Sequence, residues 1–411
     1  MKYQRLRGVK DVTPAESPMW EHIISAAFGV FKLYDYQLII TPTIEDIALF
    51  ARGLGDGSDI VIKEMYDFMD KKGRHIVLRP EGTASVVRAY IENNLPPRSN
   101  LFYAGQMFRY ERPQAGRYRE FYQIGAESFG DPTPYKDAEV IRMAYDIISA
   151  IGITQGGLEI NCLAAGDGYY DRLKAFLESK KALLCGDCVR KLERAPLRVL
   201  DCKNEECKKA VADAPLITEN LKPEAAAHYA KVKELLTAAG IAFAETPSMV
   251  RGLDYYTGTV FEFVTDKLGP QQNTILAGGR YDNLVEEFGG KKTPATGFAL
   301  GVERMTEVLK AEGRQSAAQG PDVFIVTDKA YIDNGFRLLN EFRQAKIKAA
   351  MSFEDKSFKS QFREAESKGS KYVLIIGENE IKSGHYALKD MKSGEQRDIP
   401  AADIIKEIKK F

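Results

Sequence analysis

The chain has four histidines, one tryptophan and five cysteines in 411 residues. The histidines form no Ser-His-Asp or zinc-protease arrangement, which argues against those two hydrolase classes. Five cysteines at this length are too sparse for a secreted disulfide scaffold. No apolar run approaches the roughly 20 residues of a membrane-spanning helix. The opening stretch MKYQRLRGVKDVTP lacks an apolar core behind its basic residues, so no secretory signal is expected and a cytoplasmic location is. Net charge is absent too, at 58 basic against 58 acidic residues. A nucleic-acid partner would therefore have to meet local basic patches. Familiar phosphate loops are missing as well. Gly53, Gly55 and Gly57 lack the spacing of a dinucleotide loop, and Gly290-Lys291-Lys292-Thr293 lacks the order of a P-loop.

What remains is ordinary globular material, 44% apolar and 28% charged, long enough for two or three domains. The most informative stretch is LFYAGQMFRYERPQAGRYREFYQIGAESFG, Leu101 to Gly130. It predicts two strands around a charged turn containing Arg112, Arg117 and Arg119. Side chains alternate across a strand, so Phe121, Gln123, Gly125 and Glu127 share one face. That face has the composition of a small polar pocket floor. Arg109 closes the first strand, where a guanidinium suits phosphate oxygens. An exposed hairpin with a solvated basic turn is the plainer alternative.

This hairpin resembles the second signature motif of class II aminoacyl-tRNA synthetases, in its histidyl version. Other segments carry the same resemblance in chain order. A helix is expected behind a Thr13-Pro14-Ala15-Glu16 capping box, with Trp20, Ile23, Ile24, Ala27, Phe28 and Phe31 on its apolar stripe. With the strand Gln37 to Ile40 and TPTIEDIALFARGLGD, it resembles the first class II motif, which lies at the dimer interface in that family. Strands are expected between Ile60 and Leu78. In LRPEGTASVVRAYIE, Glu81 and Thr83 stand at the N-terminus of a predicted helix, where they could cap it or hold an ammonium group. The resemblance implies that they bind the amino group of histidine. RGLDYYTG resembles the first histidine-specific motif. It implies that Arg251 contacts the reacting carboxylate and α-phosphate, and that Tyr255 and Tyr256 line the imidazole pocket. A buried arginine needs an anion in any case. AGGRYDNL resembles the second such motif, with Asn283 where the family usually has glycine. PATGFALGVERMTEVL is predicted to be a strand entering a helix, and it resembles the third class II motif, whose arginine, here Arg304, grips the γ-phosphate.

Between these motifs a helix is expected from Asp137 to Ile151, with Ile141, Ala144, Tyr145 and Ile148 on its inner face. A helical insertion is expected at about residues 168–238. It contains Cys185, Cys188, Cys202 and Cys207, with two, thirteen and four residues between them. Four thiolates could hold a structural zinc; reduced thiols are the alternative, and similar cysteines occur in bacterial members of the family. Arg314 to Gly320 reads as a linker. Beyond it, strands and helices alternate as in a small α/β domain.

The fold expected is therefore an α+β catalytic core on a mostly antiparallel sheet, residues 1–320 with the insertion, followed by an α/β anticodon-binding domain, residues 321–411. The resemblance implies a histidine–tRNA ligase using ATP with Mg2+, L-histidine and tRNA(His), as a cytoplasmic homodimer off the membrane. Arg109 and Arg251 would be catalytic, and Arg109, Arg251 and Arg304 would bind ATP. Glu81, Thr83, Gln123, Glu127, Tyr255 and Tyr256 would bind histidine, and Gln114 and Arg117 would touch tRNA. A pocket that hydrogen-bonds a ring N–H can reject analogues lacking it by roughly 10⁴-fold, so no editing domain is expected. The rival is the non-catalytic histidine-sensing regulatory subunit of ATP phosphoribosyltransferase, which lacks the anticodon domain and the intact arginine motif.

Overall fold

A computed structural model describes residues 3–54, 60–202, 204–269, 273–314 and 320–410. Residues 315–319 of the expected linker, and Gly55 and Gly57, lie outside the described residues. The chain forms two compact units, Met1–Ser316 and Ala317–Phe411.

In chain order the strands of the first unit are β1 (Gln37–Leu38), β2 (Ile44–Asp46), β3 (Tyr66–Met69), β4 (His75–Leu78), β5 (Ser99–Phe108), β6 (Glu120–Phe129), β7 (Gly157–Cys162), β8 (Phe243–Glu245), β9 (Thr259–Val264), β10 (Thr274–Arg280) and β11 (Ala295–Gly301). Eight of them form one sheet in the order β1-β5-β6-β11-β10-β9-β7-β8. Its six central strands are antiparallel, and only the short edge strands β1 and β8 pair in parallel. The mostly antiparallel core expected from the sequence is thus present. β2, β4 and β3 make a separate small sheet.

The pleat divides this sheet between a core and a cavity. Along β6, Ile124 and Ala126 point into the main apolar core, where Tyr122 packs edge-on against Trp20 with ring centroids 5.7 Å apart. That core is closed by helices Ser17–Leu33, Pro134–Ile151 and Val302–Ala311, through buried Ile23, Phe31, Ile141, Ile147, Met305 and Leu309. Phe121, Gln123 and Glu127 alternate onto the opposite face and line a cavity. The helix Thr83–Glu92 packs on this side, burying Val86, Val87 and Tyr90.

Several local expectations change. The first helix starts at Ser17, with Pro18 in its first turn, and the Thr13–Glu16 capping box does not form. Glu16 instead pairs with Lys10 at 2.8 Å and Lys310 at 2.9 Å, so its carboxylate is committed elsewhere. Ile60–Glu64 is a π-helical turn, not a strand. Tyr145 is largely exposed, and Val140, Met143 and Ile147 fill the inner face in its place. The insertion is a run of short helices between Tyr169 and Ala238, with its own core around Tyr169, Leu173, Leu192 and Val199.

The second unit carries β12 (Val323–Thr327), β13 (Ala349–Met351), β14 (Tyr372–Ile376), β15 (His385–Asp390) and β16 (Gln396–Pro400), in the order β13-β12-β14-β15-β16. The helices Ile332–Gln344 and Phe358–Ser367 alternate with the first three strands, as expected. The β15–β16 hairpin extends the sheet antiparallel.

Candidate active site

A cavity of about 810 Å³ opens over the glycine-rich face of β6, β11 and β10. Glycines make its floor by admitting large side chains. A Cβ on Gly125 would collide with the hydroxyl end of the Tyr103 ring and lie 2.8 Å from the Phe298 carbonyl; one on Gly82 would collide with the same end of that ring. The pocket floor expected along this face is therefore closed at Gly125 by Tyr103. Likewise, Gly297 leaves the space that the Glu127 carboxylate occupies.

Glu127 lies at the bottom, 1% exposed. Its Oε1 accepts from Thr83 Oγ1 at 2.7 Å, and its Oε2 accepts from the Tyr281 hydroxyl. Burial outweighs both bonds and pushes the Glu127 carboxyl up to about 8. Gln123 Oε1 accepts from the Gly82 N–H at 3.1 Å, which ties β6 to the start of the Thr83 helix. Tyr255 and Tyr256 stand beside this floor with ring centroids 4.8 Å apart, and Tyr281 meets Tyr255 edge-on. Glu81 caps the Thr83 helix: Thr83 N–H donates to Oε2 at 2.7 Å and Ala84 N–H to Oε1 at 2.8 Å. It also lines the cavity, and each carboxylate oxygen keeps a second lone pair for another donor. Burial raises its pKa against those two backbone bonds.

The opposite wall is cationic. Arg109, Arg117 and Arg304 all line it. Arg109 Nε donates to the Pro80 carbonyl at 2.9 Å, with its guanidinium 5.3 Å from the Phe121 ring centroid. Arg304 Nη1 donates to the Thr274 carbonyl at 2.6 Å. Burial, then the charges of Arg117 and Arg109, push Arg304 down to about 10. Like charges held together out of water call for an anion between them. Its helix is locked to β6 by Glu303, which accepts from the Tyr122 N–H at 2.9 Å. Arg251 pairs with Glu262 on β9, and Thr274 donates to the other Glu262 oxygen at 2.7 Å. Burial alone would lower the Arg251 pKa, but the Glu262 carboxylate holds it above the usual guanidinium range.

The structure therefore brings Arg109, Arg251, Arg304, Glu81, Thr83, Gln123, Glu127, Tyr255 and Tyr256 into one cavity. Of the hairpin-turn pair, Arg117 lines it, with Nε 3.0 Å from Glu111. Gln114 bridges to Arg117 and lies off the cavity wall. Tyr103, Tyr281 and Glu262 are site residues that sequence reasoning missed. Tyr281 was signalled by its place in AGGRYDNL. Tyr103 was not, because the irregular stretch between Phe108 and Glu120 hides the register that sets it opposite Gly125. Arg280, in the same motif as Tyr281, is structural: it grips buried Asp137 at 2.9 Å through Nε, and His228 reaches the same carboxylate at 2.8 Å.

In the insertion, the sulphurs of Cys185, Cys188, Cys202 and Cys207 lie within 4.8 Å of one another. All four are free thiols. Backbone donors point at sulphur, Cys185 N–H to Cys207 at 3.1 Å and Asn204 N–H to Cys202 at 3.5 Å. The backbone N–H of Cys188 brings the Cys185 thiol down to about 7, whereas burial raises Cys207. This donor set fits a soft, tetrahedral metal ion. Among the described residues, no helix is long and apolar enough to cross a membrane.

A family model described as Histidyl-tRNA synthetase matches residues 8–305, and one described as Anticodon binding domain matches residues 322–411. A histidine–tRNA ligase of Aquifex aeolicus is 44% identical over 410 residues, spanning 98% of this chain and all of that protein. One of Bacillus licheniformis is 43% identical over 414 residues, covering 98% of this chain and 97% of its own. The crystal structure of apo S. aureus histidyl-tRNA synthetase superposes with a TM-score of 0.81 at 34% identity, covering 99% of this chain and 100% of that one. An ATP phosphoribosyltransferase regulatory subunit/histidyl-tRNA synthetase from Bacillus halodurans shares the fold at a lower TM-score, 0.68, and 21% identity, over 92% of this chain and 99% of that one.

Proposed function

The chain belongs to the histidyl-tRNA synthetase family and acts as an ATP-dependent histidine–tRNA ligase, and we propose the following division of that work among its residues. A carboxylate oxygen of histidine attacks the α-phosphorus of ATP, and pyrophosphate leaves with the electron pair of the broken P–O bond. The terminal ribose hydroxyl of tRNA(His) then attacks the histidyl carbonyl carbon, and AMP leaves. Both steps concentrate negative charge, so the protein's task is positioning and electrostatics.

The observation that carries this reading is the meeting of Arg109, Arg117 and Arg304 on one wall, with Arg304 pushed down to about 10 by burial and by its neighbours. A polyphosphate entering with its Mg2+ relieves that repulsion. Arg109 and Arg251 stabilise the α-phosphate in the transition state, and Arg304 holds the distal phosphates. Arg251 would exchange its Glu262 partner for the reacting carboxylate and phosphate. Glu127 accepts from an imidazole N–H. The incoming positive edge of the ring favours its ionised form over the protonated one that burial prefers. Tyr255 and Tyr256 flank the ring, Gln123 bonds the substrate's polar groups, and Thr83 and the spare lone pairs of Glu81 take the ammonium. Gln114 and Arg117, joined at the hairpin turn, meet the acceptor end of tRNA.

The catalytic domain is assigned to residues 1–320 and the anticodon-binding domain to 321–411. The working state is a homodimer in the cytoplasm. Cys185, Cys188, Cys202 and Cys207 would hold one zinc ion, which ties chain segments together and takes no part in the reaction.

The test is histidine-dependent exchange of labelled pyrophosphate into ATP without tRNA, in wild type and Arg251→Ala. Exchange in the wild type that drops by roughly 10²- to 10³-fold in the variant, with histidine still bound, supports the assignment of Arg251. No exchange despite tight histidine binding would favour a sensor over a ligase.

A further inference from the structure

The cysteine knot touches the catalytic machinery through one side chain. Arg198 lies between Cys188 and Cys202, in the short helix Leu197–Leu200. Its backbone is held by the insertion core, where Val199 packs with Cys188, Cys207 and Leu192. Its guanidinium leaves that core. Nη2 donates to the Gly252 carbonyl at 2.9 Å and to Asp254 Oδ1 at 2.8 Å. Gly252 follows Arg251, and Asp254 precedes Tyr255 and Tyr256. The segment that carries one proposed phosphate ligand and two ring-pocket walls is thus fastened to the insertion by Arg198, whose side chain is only 10% exposed. Cys202, Leu200 and Asp201 themselves line the cavity.

The sulphur geometry says what sets the position of Arg198. A tetrahedral ion with zinc–sulphur bonds of about 2.3 Å requires sulphur–sulphur separations of about 3.8 Å. Cys185 and Cys202 are already 4.0 Å apart, and all four fall within 4.8 Å. An ion would seat with small movements and join Cys185–Cys188 to Cys202–Cys207 across the segment that holds Arg198. With no ion, four thiols this close offer one another only weak hydrogen bonds, and the segment depends on a small local core.

We propose that zinc in the four-cysteine knot, acting through Arg198, positions the loop from Arg251 to Tyr256. Arg198 is a positioning residue in this scheme and does not meet substrate. The inference rests on the zinc reading given above and adds to it a dependence of the catalytic loop on the metal.

The test uses the full-length protein. Zinc is measured by atomic absorption after dialysis. Cobalt(II) is added to metal-free protein to look for thiolate-to-metal charge transfer in the near ultraviolet. Hydrogen exchange at amides 252–256 and pyrophosphate exchange are then compared in wild type, Cys185→Ser, Arg198→Ala and chelator-stripped wild type, which stands in if Cys185→Ser fails to fold. One zinc per chain is expected in wild type and Arg198→Ala, and zinc lost on dialysis in Cys185→Ser, which keeps only three of the four thiolates. Arg198→Ala and the metal-free samples should all show roughly tenfold faster amide exchange at 252–256, with helix Pro134–Ile151 unchanged. Their kcat should fall about tenfold, more than the histidine KM rises. Wild type without zinc or a cobalt–thiolate band overturns the zinc reading and this inference with it. Zinc present, but wild-type amide exchange and kcat in the variants, overturns the link to the loop and leaves the zinc reading standing. A change in Arg198→Ala with none on metal loss overturns the role of the metal alone.

Discussion

Tyr281 donates its hydroxyl to Glu127 across 154 positions of sequence, from the loop after β10 to the C-terminal end of β6. Thr83 holds the other carboxylate oxygen from the start of a third element. This pair orients the acceptor proposed for the imidazole ring. Tyr281→Phe should therefore raise the histidine KM by about tenfold to a hundredfold, the worth of a hydrogen bond to a charged group. The ATP KM should stay within about threefold. Steady-state pyrophosphate exchange with each substrate varied checks this. Equal rises would place Tyr281 outside ring recognition.

Glu127 also makes stability depend on pH. Its folded pKa is raised to about 8 by burial, above the ordinary 4.5. Between those values the unfolded chain has lost the proton and the folded protein keeps it. The folded state then binds more protons, so this group's contribution becomes less favourable as pH rises. The stability of wild type relative to Glu127→Gln should fall across pH 4.5 to 8, at up to about 1.4 kcal/mol per pH unit, and level off above. Urea unfolding of the ligand-free proteins at pH 5, 6.5 and 8 reads the difference. A pH-independent gap would show that Glu127 is ionised throughout.

Arg304→Ala removes the cation that burial and its arginine neighbours push down to about 10. Its loss relieves repulsion in the empty site and removes a phosphate ligand from the filled one. The ATP KM should rise by about a hundredfold with little change in the histidine KM, as expected for a desolvated charge-assisted contact. Isothermal titration with an ATP analogue should show the same loss. An unchanged ATP affinity would remove Arg304 from phosphate binding.

Gly125→Ala tests the floor. The new methyl would collide with Tyr103 and crowd the Phe298 carbonyl at 2.8 Å. The ring's hydroxyl end is also packed against Gly82, so little relaxation is open to it. A loss of about 1–3 kcal/mol is expected, together with weaker histidine binding. Thermal unfolding and a histidine titration check both. A wild-type melting temperature would mean that Tyr103 can move aside.

The sequence was a good guide where chemistry is local. Arg109 at the end of a strand, Glu81 and Thr83 at a helix start, Gln123 and Glu127 in alternation, and Arg304 in a first helical turn all reach the cavity as their positions imply. It misled where a side chain had two uses. Glu16 looked like half of a capping box and went to Lys10 and Lys310, a choice made by Lys310 nearly 300 residues away. Gly125 reads as part of a polar pocket floor, and the space beside it is taken by Tyr103.

Spacing, alternation and helix periodicity are properties of neighbouring residues, and by themselves they determined the element order, the antiparallel hairpin and which faces carry charge. Strand register and long-range contact belong to the folded chain. They decided that Tyr281 meets Glu127, that Glu262 holds Arg251, and that Arg198 reaches from the cysteine knot to Asp254. The pKa of Glu127 follows from the same source, because removing a carboxylate from water is a property of its surroundings and not of its position in the chain.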